Sequence, residues 1–186
     1  DSQPETLDRK LPEKWSELFT QRLAVAGDAY IPKALRATLH GGVNSSEMRN
    51  VAVVFVGLPD LAISDDELAS QTISVAKLDK LNAAFVQMTR IAHSFQGEVR
   101  DLLFDDKGCI FIAVFGALGT TELAPLRAAR SAMAISHEYS SSKVGVSFGT
   151  CFVGMCGSPK RHDFVVMGHD VNMAARFMVC AGVGEV

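Results

Sequence analysis

Apolar residues follow two rhythms along this chain, and the alternation between them outlines a fold before any chemistry is considered. The run Val51-Ala52-Val53-Val54-Phe55-Val56 is continuously apolar, rich in β-branched residues and stopped by Gly57 and Pro59, which predicts a central strand covered on both faces. From about Ile73 to Phe95 the period changes. Leu78, Leu81, Phe85, Met88 and Ile91 recur at helical spacing and Gly97 ends the segment, the pattern of an amphipathic helix. Val99 to Phe104 and Cys109 to Phe115 read as two strands joined by the tight turn Asp105-Asp106-Lys107-Gly108. A second helix is expected over about Glu122 to Tyr139, closed by Ser140-Ser141-Ser142. Further strands are expected at Val144 to Phe148, Cys151 to Cys156 and Phe164 to Met167. A last helix runs from near His169 to about Cys180, with Val171, Ala174, Ala175 and Met178 on its apolar side.

The order βαββα, followed by a glycine-rich β segment and a closing helix, predicts an α+β fold. It is a ferredoxin-like βαββαβ antiparallel sheet with helices on one face, extended by a hairpin. Residues 1–48 differ in character: they are polar and carry the only Trp. Trp15, Leu18, Phe19 and Leu23 recur at helical spacing, and a segment from Ile31 to Leu39 has Pro32 in its first turn before Gly41-Gly42 breaks the pattern. A helical lead-in over 1–48 and a domain over 49–186 are therefore expected. The first residue is not Met and Val183 to Val186 break off where a strand begins, so the expectation is a domain truncated at its C-terminal end.

Composition narrows the function classes. With 186 residues, 48% hydrophobic and 21% charged, the chain can bury a core without metal or disulfide staples. A net charge of −3 gives no basic footprint for nucleic acid. No stretch approaches the roughly 18 uninterrupted apolar residues of a spanning helix, and the polar N-terminus is no signal peptide. Cys109, Cys151, Cys156 and Cys180 lie in apolar runs without CxxC spacing and read as buried thiols of a reducing compartment. Asn44-Ser45-Ser46 fits a glycosylation sequon, which carries little weight in a cytoplasmic chain.

The chemistry concentrates between Gly145 and Arg176. Gly149, Gly154, Gly157 and Gly168 interrupt apolar strands where backbone must approach something closely or bend. Asn172 and Arg176, four apart on a helix, project from the same face. An amide that orients a ribose and a guanidinium that stabilises charge on a reacting phosphate suit that arrangement. Taken alone, the two residues also fit a plain solvent-facing pair.

The whole string resembles the class III nucleotidyl cyclase homology domain. Its spaced glycines, Arg-x-Asp-aromatic step, Gly turn and Val-Asn-x-Ala-x-Arg are present as Gly149, Gly154, Gly157, Arg161, Asp163, Phe164, Gly168, Val171, Asn172, Ala174 and Arg176. The likeness extends from about Met48 to the end. Within the family, Phe104 to Gly116 and Arg161 to Met178 resemble the second catalytic half of soluble, bicarbonate-responsive adenylyl cyclases.

The resemblance implies one half of a composite adenylyl cyclase that converts ATP to cyclic AMP and pyrophosphate and is inactive in isolation. Two such domains join head to tail with ATP at their interface. One half holds two Mg or Mn ions on two aspartates; the other supplies the purine contacts, the Asn and the Arg. Here the metal positions fall on Gly57 and Cys109, neither a hard oxygen ligand. Nearby Asp60, Asp105 and Asp106 read as loop and turn carboxylates, Asp60 being an odd number of residues from Gly57 and so on the other face of a continued strand. No metal site is expected in this chain, the ions belonging to a homologous partner domain of the same chain or another.

The resemblance marks Asn172 and Arg176 as catalytic, and Asp101 and Val165, with Val166 beside it, as substrate-binding. The family usually carries a lysine where Asp101 stands. A carboxylate there would accept from an exocyclic amine or a guanine edge, whereas a one-residue shift would put Arg100 in the slot. Two alternatives stay open: a degenerate pseudo-cyclase module for dimerisation and regulation, and a guanylyl-type half. The resemblance further suggests bicarbonate as a regulator, with this chain giving wall residues around Phe104, and a triphosphate-binding lysine beyond Val186. It implies a cytoplasmic setting, with ciliary, flagellar or membrane association of the full-length protein left open.

Overall fold

The computed structural model describes residues 46–70, 73–105, 108–119, 121–158 and 161–186. The chain divides into two units, Asp1–Val43 and Asn44–Val186, and the second is described here. The helical lead-in, with Trp15, Pro32 and Leu39, lies outside the described residues, as do Asp106 and Lys107 of the expected turn.

Five strands form one antiparallel sheet: β1 (Glu47–Leu58), β2 (Glu98–Asp105), β3 (Gly108–Phe115), β4 (Lys143–Ser158) and β5 (Arg161–Met167), in spatial order β2-β3-β1-β4-β5. The helices are the short α1 (Asp65–Ala69), α2 (Val75–Ser94) between β1 and β2, α3 (Ala124–Glu138) between β3 and β4, and α4 (His169–Cys180) after β5. This is the expected α+β architecture. β1 is central, pairing with β3 on one side and β4 on the other, which is why its residues from Val51 to Leu58 are all buried.

Alternation along β1 divides the core in two. Val54, Val56 and Leu58, with Phe111, Ala113 and Phe115 of β3, lie under α2 and α3. Those helices present Ala84, Met88, Ala92, Ala128, Ala132 and Ile135; the alanines let the helices lie close to the sheet while Phe85 meets Phe111 edge-on, ring centroids 6.1 Å apart. α2 opens with the Ser74 side chain accepting from the Lys77 N–H. Val51, Val53, Phe55, Ile110, Ile112 and Val114 face the other way, toward Ala174 and Met178 of α4.

The two crossover helices thus share a face as expected, but α4 does not: it covers the opposite one. The second face of a sheet whose central strands are apolar on both sides needs its own cover. A second difference is β4, which runs unbroken where two strands, ending at Phe148 and starting at Cys151, are expected. Gly149 pairs with Val51 without interruption, so this glycine marks a close approach to α4 and not a break. The cysteines differ too. Cys109 and Cys151 are buried, Cys156 is half-buried and Cys180 is exposed, all as free thiols. Cys180 lies on the outer side of α4 beside exposed Phe177 and Val179, so an apolar neighbourhood in sequence did not mean burial. Among the described residues no helix is long and apolar enough to cross a membrane.

Candidate active site

The site is organised by how β4 seats α4. A methyl group added at Gly145 would fall 2.1 Å from the Ala174 carbonyl oxygen and 2.2 Å from the Met178 nitrogen, so helix backbone rests directly on strand backbone there. At Gly149 the same addition would collide with the Asp170 carboxylate. Between them Ser147 Oγ donates to the Asp170 carbonyl oxygen at 2.5 Å. Cys151 Sγ accepts from the Val171 N–H; burial foremost, and then the Asp170 carboxylate, raise its thiol pKa, with that hydrogen bond opposing them. The first turn of α4 is therefore locked in position and rotation.

With Ala174 and Met178 buried against the sheet, Asn172 and Arg176 are forced onto the exposed side of α4, one turn and about 6 Å apart along the axis. Among the described residues neither makes a hydrogen bond or ion pair, so the amide and all the guanidinium donors are available to a ligand. The structure keeps these two together as the sequence requires.

Asp101 lies on β2 opposite Ile112, on the face that α4 covers. Val165, half-buried on β5 opposite Gly154, is flanked by Phe164 and Val166, which belong to the cluster beneath α4, so alternation turns Val165 to the opposite side. Val166 itself is buried, 7% exposed, and has little side chain to offer a substrate. Although β2 and β5 are the outermost strands, Arg100 crosses from one to the other and donates through Nη1 to the Phe164 carbonyl oxygen. The Asp101 and Val165 regions are thereby tied together. No hydrogen bond or ion pair joins them to Asn172 or Arg176 among the described residues; both groups border the same apolar cluster, through Phe164 on one side and Val171 and Ala175 on the other.

Arg100, present in the sequence reading only as the product of a shifted alignment, has a place of its own. Val99 pairs with Ala113 and Asp101 with Ile112, so Arg100 is the extra residue of a β-bulge. A break in strict alternation over Val99-Arg100-Asp101-Leu102 is the only sequence trace of it.

Gly57 has no side chain, and the site of its missing methyl group is 3.3 Å from Met178 Sδ. Cys109 is fully buried, and burial pushes its thiol up to about 11, so it stays neutral. The two sit on adjoining strands one register step apart, Gly57 opposite Ile110 and Cys109 opposite Leu58, on opposite faces. They do not fit a hard divalent cation. Asp60 is exposed on the 3-10 turn Pro59–Leu61; the chain leaves the sheet at Pro59, so strand alternation does not extend to it. Asp105 is exposed at the end of β2. Among the described residues no group of three or more His, Cys, Asp or Glu side chains could hold a metal ion.

Human adenylate cyclase type 10 is 34% identical to this chain over 141 residues, which cover 72% of the chain and 8% of the human protein. The rat protein is 34% identical over 143 residues with the same shares. The chain is a class III nucleotidyl cyclase homology domain. The fold agrees: the adenylyl cyclase CyaB from P. aeruginosa matches with a TM-score of 0.64 at 20% identity, covering 75% of this chain and 76% of that one. The guanylate cyclase domain of RhGC from Catenaria anguillulae matches with a TM-score of 0.62 at 18% identity, covering 74% and 77%. No family model matches. This cyclase domain spans only 8% of the length of the curated relatives it matches.

Proposed function

We propose that this domain, residues 49–186 behind a lead-in of 1–48, is the second half of a composite adenylyl cyclase, converting ATP to cyclic AMP and pyrophosphate at an interface with another cyclase domain. The observation that carries the reading is the exposed, unengaged pair Asn172 and Arg176 on a helix whose seat is fixed by Gly145, Ser147 and Gly149. A preorganised guanidinium beside the triphosphate lowers the barrier because it meets developing charge without reorganising; the amide one turn away holds the ribose, keeping its hydroxyl aimed at the α-phosphate. Gly57 and Cys109 support assigning the Mg or Mn ions to the partner domain. A bicarbonate site in the second cleft, walled in part by exposed Phe104, and a cytoplasmic setting go with the same reading.

The test is to mix this domain with a cyclase domain that carries both metal aspartates and measure cyclic AMP. Activity should need both domains, and Arg176→Ala should lower kcat by roughly 100- to 1000-fold, the usual loss for one preorganised donor. Equal turnover by the Arg176→Ala mixture would refute the role given to Arg176. A second reading, a pseudo-cyclase module, draws on the aliphatic Val165 and on Asp101 being engaged by Arg100. Stable association without turnover of ATP or GTP would favour it, and turnover of GTP alone would favour a guanylyl-type half.

A further inference from the structure

We propose that Ser136 of α3 is a positioning residue for Arg176, holding the far end of α4 from the opposite face of the sheet; the inference rests on the function proposed above. α4 makes its last helical bond at Ala181, whose N–H donates to the Phe177 carbonyl oxygen at 2.9 Å, and the backbone there becomes extended. Residues 182–185 then fold back on themselves. The Glu185 N–H donates to the Gly182 carbonyl oxygen at 3.2 Å, and Glu185 Oε2 accepts from the Gly182 N–H at 2.8 Å. Gly184 takes a φ of +78° in this turn, a conformation that suits glycine.

Three bonds fasten the turn to the rest of the domain. Ser136 Oγ donates to the Gly184 carbonyl oxygen at 2.9 Å. The Gly184 N–H donates to the Ser142 carbonyl oxygen at 2.7 Å, and the Val144 N–H donates to the Glu185 carbonyl oxygen at 3.0 Å. β5 pairs with β4 only from Phe152 onward, so the turn takes an edge of β4 that β5 leaves open. The chain after α4 is thus a strap that joins the face of α4 to the face of α3. Ser136 supplies the one side chain among these three bonds. It is buried, 8% exposed, and its hydroxyl, whose usual partner in a helix is a carbonyl one turn back, is given to the strap instead.

α4 needs a hold at this end. Its contact with Gly145 is backbone on backbone, which brings the helix close but offers no side chain to stop it sliding along the strand. Ser147 fixes the first turn, at Asp170. Arg176 stands about 9 Å further along the axis, nearer the end that the strap secures. A misplacement of about 1 Å at a reacting group costs on the order of 100-fold in rate, so the strap sets how well the guanidinium meets developing charge.

The experiment measures kcat and KM of the domain assembled with a metal-bearing cyclase domain. Ser136→Ala should lower kcat about tenfold or more and leave KM within about twofold. Made in the Arg176→Ala background, the same substitution should cost nothing further, because a residue that acts through Arg176 then has nothing left to position. A scaffold role would lower turnover equally in both backgrounds, and that result overturns the proposal. Glu185→Ala, at an exposed residue, opens the turn without touching α3 and should give the same pattern. Glu185→Gln, which keeps an oxygen for the Gly182 N–H, should restore turnover. Hydrogen exchange reads the strap directly: the Gly184 amide should exchange about tenfold faster in Ser136→Ala. Unchanged exchange, or an unchanged kcat, overturns the role given to Ser136. If Arg176→Ala lowers kcat and Ser136→Ala does not, the function proposed above stands without the strap; if the wild-type assembly makes no cyclic AMP, both fall.

Discussion

The two faces of the sheet are built from similar apolar residues and put to different use. Under α2 and α3, phenylalanines of β3 interlock with alanines of the helices, and what results is cover: Phe111 and Phe115 are wholly buried. Under α4 the strand contributes glycines, the helix backbone lies on the strand backbone, and the outer side of the helix presents Asn172, Arg176 and Phe177 to solvent. The first face holds the domain together through side-chain packing. The second adds backbone contact to its apolar cluster and so places two polar side chains accurately on α4.

Perturbing each face should therefore give different signatures, and the stability effects rank accordingly. The largest is expected from Phe111→Ala, which removes a fully buried ring and its edge-on contact with Phe85; a loss of about 3–5 kcal/mol is expected from such truncations, measured by urea unfolding. Gly145→Ala comes next, at about 1–3 kcal/mol for overpacking, and should depress cyclase activity of the assembled pair beyond what the stability loss explains, since α4 must shift. If Gly145→Ala leaves both activity and melting temperature intact, the helix is not seated as described.

Smaller, and confined to alkaline pH, is the effect of Cys109. Its folded-state pKa is raised from 9.0 to about 11 by burial, so its neutral thiol favours the folded state fully below pH 9, and that contribution is lost as pH rises from 9 to 11. Cys109→Ala should flatten the decline in stability over that window. On the same ground, alkylation followed by mass spectrometry should label exposed Cys180 long before Cys109 or Cys151. Smallest is Arg176→Ala, expected to move stability by no more than about 0.5 kcal/mol while turnover collapses. A large fall in melting temperature would mean that Arg176 belongs to the scaffold.

The same contrast explains what could be read in advance. The strand at Val51 to Val56 and the helix through Phe85 and Met88 were legible because burial writes itself into periodicity. Which face α4 would cover was not, because Val171, Ala174, Ala175 and Met178 announce an apolar side without naming the surface it meets. Gly149 looked like a break because a residue without a side chain carries no periodic signal, and only the Asp170 carboxylate over it reveals its purpose. That Asn172 and Arg176 would share one side of α4 was legible because helical geometry ties residues four apart; the roles proposed for them come from the resemblance. Arg100 was seen only as a misalignment, since a bulge is a one-residue departure from alternation.

The central position of β1 sets a schedule for making this protein. Phe55 pairs with Gly145, about 90 residues later in the chain, and synthesis at about 5–20 residues per second leaves its buried apolar run, Val51 to Leu58, without its second neighbour for roughly 5–18 seconds. During that interval the nascent chain displays a sticky, strand-forming segment, and the pairing with β3 that becomes possible first leaves one of its edges open. Yield in cells should therefore respond to chaperone supply and to slowed translation more than the stability of the finished domain would suggest.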